Sequence, residues 1–147
     1  MFESIKQITA NAKKLNQTQL LIEVFTDVKI KDEITNYITE VQLFKEGVDG
    51  LGDKLKQYTP FTISIKESKT PKQPTDRTTL KDTGQFYNSF RVDVNQGGEV
   101  KIVVNDINDL TEKYGINILT LSDDGIEKIK PQVIEKIKEY VIRTLHS

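Results

Sequence analysis

Phe90-Arg91-Val92-Asp93-Val94-Asn95-Gln96-Gly97-Gly98-Glu99-Val100-Lys101-Ile102-Val103-Val104 is the stretch that decides the fold. Phe90, Val92 and Val94 alternate with Arg91 and Asp93, the period-two pattern of a strand with one buried face. Asn95-Gln96-Gly97-Gly98 supplies residues that tolerate positive φ, as a tight turn requires. Residues 99–104 return as the partner strand, with Val100, Ile102 and Val103 apolar, so the spacing predicts a β-hairpin. Just upstream, Asp82-Thr83-Gly84-Gln85 predicts a helix start, with Asp82 as N-cap and Leu80, Phe86 and Phe90 on one face. Downstream, Glu112-Lys113-Tyr114-Gly115 predicts a turn. Ser122-Asp123-Asp124 then reads as the cap and acidic first turn of a last helix. Its apolar stripe is Ile126, Ile129, Val133, Ile134, Ile137, Val141 and Leu145. Pro131 interrupts that stripe and predicts either a kink or the start of a second helix.

Toward the N-terminus, Phe2, Ile5, Ile8 and Ala12 predict a short amphipathic helix over residues 2–14. Leu20-Leu21-Ile22-Glu23-Val24-Phe25 is too short and too apolar to separate a buried strand from a helix. Ile30, Ile34, Ile38, Val41 and Phe44 recur at helical spacing and predict a helix over residues 31–46, with Asp32 and Glu33 near its start. Gly47 ends it, and residues 47–53 form a Gly-rich loop. In residues 58–66, Phe61, Ile63 and Ile65 alternate with Thr62 and Ser64, which predicts a half-buried strand. A helix capped by Thr59 with Pro60 in its first turn is the alternative. Residues 67–79 carry Pro71, Pro74 and several basic groups, and predict a long exposed loop. The whole is an α+β chain: a small antiparallel sheet around the hairpin, packed by an N-terminal helix and a C-terminal amphipathic helix. It reads as one domain over residues 1–147, divided at 1–46, 47–121 and 122–147.

Composition narrows the function. The apolar fraction is 36%, and 29% of residues are charged, which suits a globular protein with a thin core. Net charge is −1, whereas a domain gripping phosphates carries a basic excess. There is no cysteine, which excludes disulfides and thiolate chemistry, and the single His146 stands one residue from the end. No run of 18 apolar residues occurs, and residues 1–6 lack the order of a secretory signal, so the expected setting is a cytoplasm without membrane contact.

Three motifs bear on chemistry. Asp82-Thr83-Gly84 matches the aspartic-protease tripeptide, in which two carboxylates share a proton across a dyad. Those enzymes place it after an apolar strand, whereas polar residues precede it here, so a helix start explains it better. Gly47, Gly50 and Gly52 lack the preceding strand and following Lys-Ser/Thr of a phosphate loop. Asp49 with Asp53, or Asp123 with Asp124, lacks the ligand alternation of a calcium loop. Lys66, Lys69, Lys72, Arg77 and Lys81, diluted by Glu67 and Asp76, make the basic loop a solvated surface or a contact for DNA or an acidic neighbour subunit. No catalytic, metal or cofactor residue is expected.

The order of the pieces is more specific than any one of them. Tyr58-Thr59-Pro60-Phe61-Thr62 is followed by a basic stretch. Leu80-Lys81-Asp82-Thr83-Gly84-Gln85-Phe86-Tyr87-Asn88-Ser89-Phe90, the hairpin, Tyr114-Gly115 and Ile118-Leu119-Thr120-Leu121-Ser122 come next. Over residues 41–145 this resembles the phage virion-morphogenesis or tail-completion family, including the Mu-type and lambda-like neck proteins. The matching positions are Pro60, Thr62, Leu80, Asp82, Thr83, Gly84, Phe86, Ser89, Phe90, Tyr114 and Gly115. The chain departs from the family in having no Trp, in carrying Glu112-Lys113 where the family has His, and in its first forty residues. The resemblance implies a non-enzymatic α/β subunit of the virion. Such a subunit forms a homo-oligomeric ring in the head-to-tail neck, against portal or tail proteins, with DNA passing unbound. Lys69, Lys72, Arg77, Asp49 and Asp53 are the candidate subunit contacts, on loops expected to order at assembly. The rival readings are a homodimeric aspartic-protease-like enzyme using Asp82 and a small cytosolic protein-binding module.

Overall fold

The computed structural model describes residues 2–13, 15–69 and 71–146, residues 2–4 by backbone alone. The Phe2 side chain, assigned above to the first helix stripe, lies outside the described residues, as do Met1, Lys14, Thr70 and Ser147.

Helical structure opens the chain: α1 (Phe2–Ala12), α2 (Gln17–Phe25), α3 (Val28–Asn36) and a π-helical segment (Tyr37–Glu46). The ambiguous stretch at 20–25 is therefore helix. The Asn16 carboxamide caps α2 by accepting the Gln19 N–H at 3.1 Å, and Val24 is buried. The next helix begins earlier than the predicted residue 31. Asp27 caps α3, accepting the Ile30 N–H at 3.1 Å, and Asp32 and Glu33 fall beyond the first turn that they were expected to occupy. The π-helical bonding that follows displaces the apolar stripe. Ile38 and Leu43 are fully buried, while Val41 and Phe44 are only partly so. Gly47 ends this segment at φ 65, a left-handed conformation that favours glycine.

The hairpin forms as the alternation predicts. Strands β1 (Arg91–Val94) and β2 (Val100–Val103) pair antiparallel from Arg91↔Val103 to Val94↔Val100. Asn95 organises the turn: its side-chain oxygen accepts the N–H groups of Gly97 and Glu99, each at 2.9 Å. Gly98 takes φ 80.

The strand predicted for residues 58–66 is instead α4 (Pro60–Glu67), the alternative read from Thr59 and Pro60. Thr59 Oγ1 accepts the Thr62 N–H at 3.2 Å, and proline in the first turn forgoes no helical bond. A strand would have buried Phe61 and Ile65 together, yet they are 74% and 43% exposed. The loop after α4 is not wholly exposed either, since Thr78 and Thr79 are buried against their own hydrogen-bond partners. Asp82 does not cap α5 (Gln85–Asn88); the capping position belongs to Gly84, at φ 91. Tyr114 ends a short helix, α6 (Leu110–Tyr114), where a simple turn was predicted. Asp109 holds its cap position without a side-chain bond, and the Asp106 carboxylate, from before the cap, accepts the Leu110 and Thr111 N–H groups at 2.6 and 2.9 Å.

A 3-10 turn (Ile116–Leu119) leads to α7 (Asp123–Leu145), capped by Ser122, whose Oγ accepts the Gly125 N–H at 3.1 Å. The helix runs as one element through Pro131, with neither a second start nor a break. Pro131 and Glu127 are exposed, so the missing bond falls where water can replace it. Only one side of α7 is covered. Ile129 and Tyr140 are buried, but Ile126 and Ile134 of the predicted stripe are 49% and 41% exposed.

The result is an α+β fold. Helices α1, α2 and α3 all pack on α7, and α2 and α3 also pack on β1. Val24, Ile30, Ile34, Ile38, Leu43, Phe90, Val92, Ile118 and Ile129 make the centre of the core. Gln42, 1% exposed, locks the lead-in to α7: its amide donates to the Thr120 carbonyl at 2.9 Å and accepts the Ser122 N–H at 2.8 Å.

Candidate functional site

Because residues 60–67 are a helix, Thr62, Ile65 and Lys66 share one face, at i, i+3 and i+4, and Lys69 follows two residues past the helix end. That face looks across a cleft of about 320 Å³ toward residues 80–86 and α6. Leu80, Phe86 and Leu110 give the cleft an apolar lining, and Tyr58 and Tyr114 add aromatic walls. Exposed Asp82, Thr83, Gln85 and Asn108 stand at its mouth.

One wall is built on Tyr58. Its hydroxyl oxygen accepts the N–H groups of Thr79 at 2.9 Å and Leu80 at 3.1 Å. Leu80 has φ 61, a left-handed conformation that costs a side-chain-bearing residue free energy, so Tyr58 holds a strained position in place. The Tyr87 hydroxyl donates to the Thr79 carbonyl from the other side. Burial raises the pKa of the Tyr58 phenol. The hydrogen bonds from Thr79 and Leu80 and the charge of Lys66 outweigh burial and hold it below the usual value. Tyr87 shifts the other way, driven up first by burial and then by the neighbouring Tyr58.

Lys66 is the second buried element, only 6% exposed. Its Nζ donates to the Gln73 side-chain oxygen at 2.9 Å and the Lys81 carbonyl at 2.7 Å, and lies 4.8 Å from the centre of the Tyr58 ring. Gln73 in turn donates to the Asp82 carbonyl at 2.6 Å. Lys66 and Gln73 thereby fasten the chain after α4 to residues 81–82. Two further bonds tie down its end: Arg77 Nε donates to the Phe44 carbonyl at 2.7 Å, and Thr78 to the Lys56 carbonyl at 2.6 Å.

The positions of the sequence motif divide by role. Thr62, Leu80, Asp82, Thr83, Phe86 and Tyr114 line the cleft. Pro60 lies outside it at the start of α4, and Gly115, at φ 93, closes α6. Gly84 starts α5. Phe86 and Phe90 meet edge to face at 5.1 Å, and Ser89 accepts the Asn105 N–H at 2.9 Å, tying α5 to the exit of β2. Asp82 is ion-paired to Lys69, its side chain 66% exposed.

The candidate subunit contacts are less uniform than their sequence suggests. Arg77 is committed to Phe44 and Asp76 within its own chain. Asp49 accepts the N–H groups of Leu51 and Asp53 at 2.9 and 3.1 Å, closing its own loop. Lys72 and Asp53 are exposed. Tyr58, Gln73, Tyr87 and Asp106 do not stand out in the sequence. Only the helical reading of 60–67, which puts Lys66 on the same face as Thr62, would have pointed to the cleft.

Among the described residues no group of three or more His, Asp or Glu side chains could hold a metal ion, and no helix is long and apolar enough to cross a membrane. Comparison with protein-family models, curated proteins and solved structures gives no match.

Proposed function

We propose that the chain is a structural subunit of a tailed-phage virion, forming part of a head-to-tail neck or tail-completion ring around the DNA channel. One observation carries the reading: several residues of 80–90, the most specific part of the family resemblance, serve the fold. Leu80 and Phe90 are core, Gly84 starts α5, and Ser89 clasps the exit of β2. Asp82, the one carboxylate in that stretch, sits exposed and paired to Lys69. An aspartic-protease site needs its carboxylate facing a second one in a shielded cleft. The near-neutral chain suits a ring through which DNA slides, since a strongly basic lumen would hold phosphates.

Negative-stain imaging of the purified chain, alone and mixed with its particle, tests this. Rings, or added mass at the head–tail junction, are expected. Single subunits under both conditions would contradict the proposal.

A further inference from the structure

The geometry points to a second property, independent of assembly: the cleft between α4, residues 80–86 and α6 binds a small organic anion with a carboxylate or phosphate head on a flat apolar body. Its volume, about 320 Å³, lies at the lower end of small-molecule sites. The apolar part of its lining, Ile65, Leu80, Phe86 and Leu110 with the rings of Tyr58 and Tyr114, suits a flat hydrocarbon.

The head group is set by charge. Lys66, Lys69 and Lys81 line the cleft and Asp82 is the only carboxylate among the described lining residues, a local positive excess in a chain of net charge −1. Lys66 is buried with two neutral oxygens as hydrogen-bond acceptors and an aromatic ring beside it, and among the described residues no carboxylate forms an ion pair with it. A buried charge compensated only by neutral groups is costly, and an anion in the cleft would offset that cost. Among the described residues Lys69 pairs only with Asp82, whose side chain is 66% exposed. Such surface pairs contribute little and exchange readily, so Lys69 can turn to an incoming anion. The Thr62, Thr83 and Tyr114 hydroxyls and the Asn108 amide add hydrogen-bonding groups around the same space. The ammonium of Lys81 is directed to the rings of Phe44 and Tyr87, 5.0 and 5.6 Å away, and takes no part.

Two-dimensional amide NMR of the full chain, titrated separately with benzoate, phenyl phosphate, inorganic phosphate and benzyl alcohol, tests the site. Benzoate and phenyl phosphate are expected to shift the amides of Lys66, Leu80, Thr83 and Leu110 in a saturable way. Benzyl alcohol and inorganic phosphate should bind about tenfold or more weakly, since each lacks one half of the recognition; tenfold is about 1.4 kcal/mol. Lys69→Gln should weaken benzoate severalfold without changing the rest of the spectrum, and Lys72→Gln, outside the cleft, should leave it unchanged. Lys66→Met, if it folds, should bind benzoate no better than benzyl alcohol. Equal binding of benzyl alcohol and benzoate, shifts scattered over surface lysines, or no shift at the cleft amides would each overturn the inference. None of these outcomes touches ring assembly, which the imaging above reads separately.

Discussion

At the scale of single residues, Tyr58 is the group on which the cleft depends. Removing its hydroxyl leaves the N–H groups of Thr79 and Leu80 without their acceptor while Leu80 stays at positive φ. Tyr58→Phe is expected to destabilise the fold by about 1–3 kcal/mol in urea unfolding, the cost of unsatisfied buried polar groups. An unchanged midpoint would show that the bonds contribute nothing. The phenols also make stability depend on pH. Tyr37, Tyr87 and Tyr114 are raised above the ordinary 10.0, chiefly by burial, so the fold favours their neutral forms. Their contribution is complete below pH 10.0 and is lost as pH rises through their folded values. Tyr58 is lowered, so its contribution is present above 10.0 and is lost as pH falls through its folded value. Three raised phenols against one lowered predict net alkaline destabilisation above about pH 10. An ultraviolet titration should show one early phenol that disappears in Tyr58→Phe. Little of this was legible in the sequence, because Tyr58, Gln73 and Thr79 meet only after the chain between α4 and α5 folds back.

At the scale of elements, legibility followed how locally each signal is written. The hairpin carries its alternation and its turn residues within fifteen consecutive positions, and Asn95 and Gly98 act as the turn chemistry requires. Ser122 and Gly47 likewise mark their helix ends locally. In residues 60–67 two local signals conflict, β-type alternation against a Thr-Pro helix start, and the cap prevails because Phe61 and Ile65 are not needed in the core. The π-helical segment was not legible, since its bonding changes the period by which a helix is recognised. Asp82 was misread as a cap because Gly84, with its left-handed backbone, takes that place. Close packing between elements gives a sharper prediction. A Cβ on Gly50 would fall 2.3 Å from the Thr120 carbonyl oxygen, which is backbone and cannot step aside cheaply. Gly50→Ala should cost about 1–3 kcal/mol and lower the melting temperature. A melting curve like that of the parent would mean that the two loops do not pack this tightly.

At the scale of the whole molecule, a near-neutral chain with a one-sided final helix and exposed Ile126, Ile134 and Ile142 leaves apolar surface uncovered. In the proposed ring, the subunit contacts would fall on surface groups that the fold does not use. Of the candidate contacts, Arg77 and Asp49 are held within their own chain, whereas Lys72 and Asp53 are exposed. Reversing both charges, Lys72→Glu with Asp53→Lys, should change stability by no more than about 0.5 kcal/mol, as surface substitutions do. It should nonetheless reduce incorporation into particles, read by co-sedimentation. Incorporation equal to the parent's would remove both residues from the interface. Deleting residues 69–76 is a poorer test, because it also removes Gln73, which anchors Lys66.

A cryo-electron microscopy map of the particle's neck, at a resolution that shows side chains, tests the central claim most directly. The account predicts repeated copies of this fold around the DNA channel, each with residues 80–90 inside its own protomer and Lys72 and Asp53 at the seams. A particle without this fold, or a dimer of the chain in which Asp82 faces its twin across a closed cleft, would contradict it.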